Sequence, residues 1–232
     1  MWDVDGIQVI ACDIFGTTVD WYTGVTRQVE EILRLNDPGA FASEWRAMYQ
    51  PSMARVRNGE REWAYLDTLH RESLDELVAR HGVDVGVADR ERLVRAWHRL
   101  PAWPDSVSGL ARLSLHYTLA ALSNGGFALL TNLVKSAGLP FDCVLSAELA
   151  RAYKPDAAVY RRAAELLDVH PREVLMVAAH TWDIDGARAA GMRTAFLVRP
   201  GEKGPHQEAD RKADADLTVS SFTELADVLS PA

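Results

Sequence analysis

The sequence predicts an α/β fold: a parallel sheet with helices on both faces, and an all-helical block inserted after the first strand. Three observations predict it. The apolar run of residues 7–12 ends in Asp13 and a glycine turn, as a strand buried on both faces does. From residue 25 to residue 100, apolar side chains recur at spacings of three and four. Beyond residue 104, short apolar runs alternate with helical segments, the βαβ pattern of a parallel sheet.

Taken in order, the helical rhythm starts with Val25, Val29, Ile32 and Leu33 in residues 25–35. Phe41, Trp45, Met48 and Tyr49 carry it on, and Pro51 is expected to kink or end that helix. Leu66, Leu69, Leu74, Leu77 and Val78 mark residues 63–81 as helical, and Leu93, Val94 and Trp97 mark residues 91–100. Pro101 and Pro104 mark the return to the sheet. Helices follow at 106–115, 126–137, 157–167 and 184–190, and strands at 117–122, 143–145, 174–178 and 194–198. Residues 199–214 read as an exposed polar loop. A last strand is expected at 216–219 and a last helix at 222–229. Residues 1–20 and 101–232 thus form a Rossmann-like core, and residues 21–100 a helical module.

Composition narrows the function. At 232 residues, with 48% hydrophobic and 25% charged side chains, the chain suits one soluble α/β unit carrying a module. A net charge of −8 argues against nucleic acid or an acidic membrane as partner, yet leaves room for a small anion in a locally positive pocket. Cys12 and Cys143 lie in apolar runs and read as small buried hydrophobes rather than a disulfide framework. Strand alternation turns Cys12 away from the face of Asp13. Residues 1–5 show no basic or apolar leader, and no apolar run is long enough to span a bilayer, so the expected location is the cytoplasm.

A parallel sheet gathers its strand ends on one edge, where ligands bind. Four such ends carry chemistry here. Asp13 either caps its loop or serves as a nucleophile, since a covalent ester divides one hard displacement into two easier steps. Ser123 and Asn124, followed by two glycines and a helix start, form either an ordinary N-cap or an anion site. Lys154, before Pro155, is either a solvated surface charge or the cation that keeps a nucleophilic carboxylate ionised. Asp183 is either a helix N-cap or a group that orients Lys154 or a water.

Singly these signals are weak, but their order and spacing resemble the haloacid dehalogenase superfamily over essentially the whole chain. The carrying residues are Asp13, Gly16 and Thr17, then Ser123 and Asn124, then Lys154 and Pro155, then Asp183. The inserted helices stand where that superfamily often has its cap. Most members are magnesium-dependent phosphatases with a second acid two residues after the nucleophile; here that position is Phe15. They also carry an acidic metal ligand where this chain has Ala179. Losing both removes the leaving-group acid and part of the hard oxygen set that Mg²⁺ needs.

An aromatic residue at position 15 is similar to the L-2-haloacid dehalogenases, whose halide leaving group needs no proton. The resemblance implies attack by Asp13 on the halogen-bearing carbon of a short 2-haloalkanoic acid, then hydrolysis of the aspartyl ester. It implies no metal and no cofactor. The substrate carboxylate is expected on Ser123 and the backbone N–H groups of Ile14 and Phe15. Thr17, Lys154 and Asp183 are expected to support the nucleophile. Arg46, Asn124 and the edge of Trp182 are expected to cradle the halide, and Tyr160, matching a tyrosine of that family's site, is expected among the substrate-binding residues. The family form suggests a homodimer. Positions 178–180 depart from it: Ala178, Ala179 and His180 replace hydroxyl residues and an asparagine. His180 is read either as a structural residue or as an additional donor for a strongly hydrated leaving ion such as fluoride. The other histidines, at 70, 81, 98, 116, 170 and 206, show no ligand spacing. Two rival readings stand beside this one: a magnesium-dependent small-molecule phosphatase of the same superfamily, and a non-catalytic binding protein on its scaffold.

Overall fold

The structure is a computed structural model, and it describes residues 6–205 and 207–229. The opening residues read above for a leader, and His206, lie outside these. In chain order the elements are β1 (Val9–Cys12), α1 (Trp21–Leu33), α2 (Pro38–Ala47), α3 (Tyr49–Arg57), α4 (Leu66–Arg80), α5 (Val87–Ala96) and α6 (Ser106–Leu113). Next come β2 (Thr118–Ser123), α7 (Phe127–Ala137), β3 (Cys143–Ser146), α8 (Ala157–Leu166), β4 (Val174–Ala178) and α9 (Thr181–Ala189). The chain closes with β5 (Arg193–Leu197), β6 (Leu217–Val219) and α10 (Phe222–Leu229).

The six strands form one sheet in the order β3-β2-β1-β4-β5-β6, every pair parallel. Every residue of β1 and β4 is buried, so these two strands need apolar side chains on both faces. The strand order reverses between β1 and β4. That switch point opens a crevice at the carboxyl ends, because the connections leave the sheet in opposite directions there. Asp13 emerges from β1 at this crevice, and His180 and Asp183 emerge from β4 on its other side.

Caps explain several helix starts. Asp20 accepts from the backbone N–H of Thr23 at 3.0 Å, Asp37 from Ala40 at 2.8 Å, and Asp156 from Ala158 at 2.8 Å, each satisfying an otherwise orphaned first-turn donor. Between β1 and α6 the described residues form five helices and no strand of the sheet. Their core is aromatic: Trp21 stacks on Trp97 with ring centres 6.2 Å apart, and Trp45 meets Trp97 edge-on at 5.5 Å.

One expectation is sharpened and one changes. The helical run that carries Pro51 is broken at Met48: Pro51 has no N–H to offer the Ala47 carbonyl, so α2 ends at Ala47 and Pro51 sits in the first turn of α3. Residues 199–214 are not uniformly an exposed loop. Arg199 is buried, donates from Nε to the carbonyl of Thr17 at 3.0 Å, and forms a two-point ion pair with Asp105 at 2.7 and 3.1 Å. Glu202 is also buried. These two charges are paired in the interior, while Glu208, Arg211 and Lys212 of the same segment are exposed as expected.

Candidate active site

Asp13 is 4% exposed and is the centre of a network of hydrogen bonds and ion pairs. Its backbone is locked by β4, whose Val177 carbonyl accepts from the Asp13 N–H at 2.9 Å. Thr18 Oγ1 donates to the Asp13 carbonyl at 2.6 Å. On the side chain, Thr17 Oγ1 donates to Oδ2 at 2.9 Å, and Lys154 Nζ donates to Oδ1 at 3.0 Å. Thr17 Oγ1 itself accepts from the Ala179 N–H at 2.9 Å, so its hydrogen is directed at Asp13. Burial alone would raise the Asp13 pKa. The charge of Lys154 and the contacts of His180 outweigh it and hold the carboxyl well below the usual carboxylate range. Asp13 is therefore an anion throughout the neutral range, as a carboxylate nucleophile must be.

Lys154 is completely buried and joins two carboxylates, with Nζ 3.0 Å from Asp13 Oδ1 and 2.5 Å from Asp183 Oδ2. It donates in addition to the Leu122 carbonyl at 3.0 Å. Burial pulls the ammonium down, but the two carboxylates outweigh this and raise its pKa. The Asp183 pKa is raised, first by burial and then by the charge of Asp13, against the pull of Lys154. Tyr160 is fully buried and donates its hydroxyl to Asp183 Oδ1 at 2.6 Å. Burial and the neighbouring Asp183 push the phenol up, so it remains a donor. Its hydroxyl is thus spent on Asp183, not presented to a ligand as the resemblance implied.

On the other side of Asp13, His180 Nδ1 lies 3.3 Å from Oδ2, close enough to pair but off the line of a straight hydrogen bond. Its Nε2 lies 3.1 Å from Glu202 Oε1. Burial lowers the imidazole pKa, yet Asp13 and Glu202 outweigh it and push it up to about 9. Glu202 is lowered in turn: His180 overcomes the effect of burial. Both ring nitrogens face carboxylates, which places His180 on the nucleophile. Glu202 takes Nε2, and Nδ1 makes no hydrogen bond. Trp182 stacks on the ring, with centres 5.3 Å apart and planes 24° from parallel.

Besides His180 Nδ1, Ser123 Oγ, at the end of β2, and Arg46 Nη1, reaching in from α2, are buried polar atoms at this edge without a hydrogen-bond partner. A buried donor without a partner costs about 1–3 kcal/mol, more if charged, so such atoms mark places where a polar ligand can bind. Among the described residues, no protein acceptor takes the backbone N–H of Ile14 or Phe15. Arg46 packs its guanidinium 4.0 Å over the ring of Tyr49 and 5.4 Å from that of Trp21. Asn124 has a structural bond as well: its Oδ1 accepts from the Lys154 backbone N–H at 2.7 Å, while its Nδ2 makes a long 3.5 Å contact to the Lys154 carbonyl. It clamps the loop that carries Lys154. Phe15 is buried and meets Trp97 edge-on at 5.9 Å, so an aromatic wall stands two residues from the nucleophile.

The structure thus brings Asp13, Thr17, Lys154, Asp183, Tyr160 and His180 into one bonded network. Arg46, Ser123, Ile14 and Phe15 contribute unpartnered donors or wall around it. Sequence reading missed Glu202, Trp21 and Tyr49. Tyr49 stands three residues after Arg46, a helical spacing that could have flagged it. Glu202 sits in a charged loop with no pattern to single it out. A cavity of about 1220 Å³ lies elsewhere, lined by Arg27, Arg95 and Lys135 among others, and includes none of these residues.

Known proteins share this arrangement of sheet and helices. A model of the haloacid dehalogenase-like hydrolases matches residues 7–191. (S)-2-haloacid dehalogenase 1 of Pseudomonas sp. (strain CBS-3) is 31% identical over 237 residues, covering 97% of this chain and 98% of that protein. The crystal structure of the L-2-haloacid dehalogenase PA0810 superposes with a TM-score of 0.92 at 42% identity, covering 97% of this chain and 100% of that one. That of the defluorinating L-2-haloacid dehalogenase Rha0230 superposes with a TM-score of 0.93 at 40% identity, over 97% and 96% of the two chains. This chain belongs to the haloacid dehalogenase-like hydrolases, on their L-2-haloacid dehalogenase branch.

Proposed function

We propose that this chain hydrolyses short 2-haloalkanoic acids, such as haloacetates and L-2-halopropionates, to 2-hydroxy acids. The observation that carries the reading is a buried, ionised Asp13 held by Lys154 and Thr17 beside the unpartnered donors of Ser123 and Arg46. An Asp13 carboxylate oxygen attacks the carbon bearing the halogen, and the carbon–halogen pair leaves as halide. Water then adds to Cγ of the Asp13 ester. The Cγ–O bond to the product breaks, the product oxygen takes one water proton, the other goes to solvent, and the Asp13 carboxylate returns.

Each residue has a role on this reading. Ser123 and the N–H groups of Ile14 and Phe15 hold the substrate carboxylate. Arg46, as a fixed cation in an apolar surround, stabilises the departing halide, with Trp182 beside it. Lys154 keeps Asp13 ionised, and Asp183, held by Tyr160, keeps Lys154 in place. Residues 21–100 form the cap over the strand ends. The phosphatase alternative loses ground because the side chains of Phe15 and Ala179 offer no oxygen ligand and no leaving-group acid. The charges of Asp13 and Asp183 are met instead by side chains of the chain itself.

The test is halide release from chloroacetate, fluoroacetate and both enantiomers of 2-chloropropionate, with EDTA present. Wild type should release halide from at least one of them. Asp13→Asn, keeping the shape but not the nucleophile, should lose at least about a thousandfold of that rate. No release by wild type, with Mg²⁺-dependent hydrolysis of p-nitrophenyl phosphate, would move the chain to the phosphatase reading.

A further inference from the structure

Glu202 lies in the segment between β5 and β6, outside every motif that points to Asp13. It is 3% exposed. A single oxygen, Oε1, accepts from Trp21 Nε1 at 2.9 Å and faces His180 Nε2 at 3.1 Å. A Cβ at residue 16 would meet this same oxygen at 2.3 Å, and Gly16 has φ +85°, so only glycine leaves the seat open. The start of α1, the β1 turn and the β4 turn therefore build one place for one carboxylate. Across the ring, His180 Nδ1 faces Asp13 Oδ2, which already accepts from Thr17.

The proposed reaction removes one of these two carboxylates. Alkylation turns Asp13 from an anion into a neutral ester, and Glu202 is then the only carboxylate left on the His180 ring. The ring must be an imidazolium to donate to both sides, because a neutral imidazole has a single N–H. A buried imidazolium with no counter-charge would give up its proton. The second half-reaction is where the donor matters. As water bonds to Cγ, an electron pair moves onto the Asp13 carbonyl oxygen, and a fixed imidazolium beside it stabilises that charge.

We propose that Glu202 is a positioning residue for ester hydrolysis: it keeps the His180 ring protonated and in place, with Nδ1 within 3.3 Å of the Asp13 carboxyl, after Asp13 has lost its charge. This rests on the reading of Asp13 as the nucleophile. The charged groups around the ring are Asp13 and Glu202 directly, Lys154 and Asp183 through Asp13, and Arg46 through Glu202.

The experiment follows Glu202→Gln with chloroacetate before and during steady state. The first turnover should release chloride within about threefold of the wild-type rate, because alkylation needs only Asp13 and the halide site. Steady-state kcat should fall about tenfold to a hundredfold. The ester should accumulate on acid-quenched protein, seen as a mass increase on the peptide of Asp13. The alkaline limb of kcat should move down by about one pH unit or more, and Glu202→Asp should recover part of the loss. An equal loss in first and later turnovers with an unshifted pH profile, or a wild-type kcat, would overturn the proposal while leaving the dehalogenase reading intact. Wild type that releases no halide would overturn both.

A second measurement does not depend on the fold of a Glu202 variant. In ¹⁵N-histidine-labelled Asp13→Asn, where residue 13 is neutral as in the ester, both ring nitrogens of His180 should carry protons at pH 7. A neutral His180 ring in that protein would contradict the proposal.

Discussion

At residue 15 the chain carries a ring where a phosphoryl-transfer enzyme of this fold would need an acid. Phe15 is buried against Trp97, so it builds the wall of the crevice and has no proton to offer a leaving group. That substitution was legible in the sequence because it stands at a fixed distance from Asp13. Lys154 and Asp183 were legible for the same reason, through their places after strands of one sheet. Contacts with no fixed spacing were not. Tyr160, read as a ligand to substrate, holds Asp183, and Asn124 holds the Lys154 loop. Only coordinates show which of several nearby polar groups a hydroxyl or amide has already taken. Tyr160→Phe tests the reassignment. Losing a hydrogen bond to a buried carboxylate costs about 1.5–3 kcal/mol, so kcat for halide release should fall about tenfold to a hundredfold while KM stays within a few-fold. A rise in KM alone would return Tyr160 to the substrate.

At the level of elements, every strand and helix of the sheet region was foreseen in order, because apolar runs and helical stripes differ plainly in period. Boundaries shifted where side chains outside the periodic pattern decide them. α1 begins at Trp21 rather than near Val25 because Asp20 caps it. The segment after β5 was misread because Arg199 and Glu202 look solvated in one dimension. Their partners, Asp105, Trp21 and His180, are distant in sequence. Packing of α6 on α10 supplies a prediction at this scale. A Cβ at Gly109 would lie 2.5 Å from the Phe222 carbonyl carbon and 2.7 Å from its oxygen, and backbone cannot yield as a flexible side chain can. Gly109→Ala should destabilise the fold by about 1–3 kcal/mol in urea unfolding, with halide release per folded molecule unchanged at 25 °C. Unaltered stability would show that α10 moves freely on the sheet.

Across the whole molecule, a net charge of −8 coexists with a site built to receive an anion. The two are compatible because Asp13, Asp183 and Glu202 are buried and set against Lys154 and His180, while Ser123 and the half-buried Arg46 hold donors in reserve. The topology makes this possible by bringing the ends of β1, β2 and β4 to one edge at the point where the strand order reverses. The central claim is that Asp13, not water, makes the first bond to the substrate carbon. A single turnover in H₂¹⁸O, with enzyme in excess over chloroacetate, tests it most directly. The account predicts ¹⁸O in the Asp13 carboxylate and an unlabelled first-turnover hydroxy acid. Label in that first product, with Asp13 unlabelled, would contradict it.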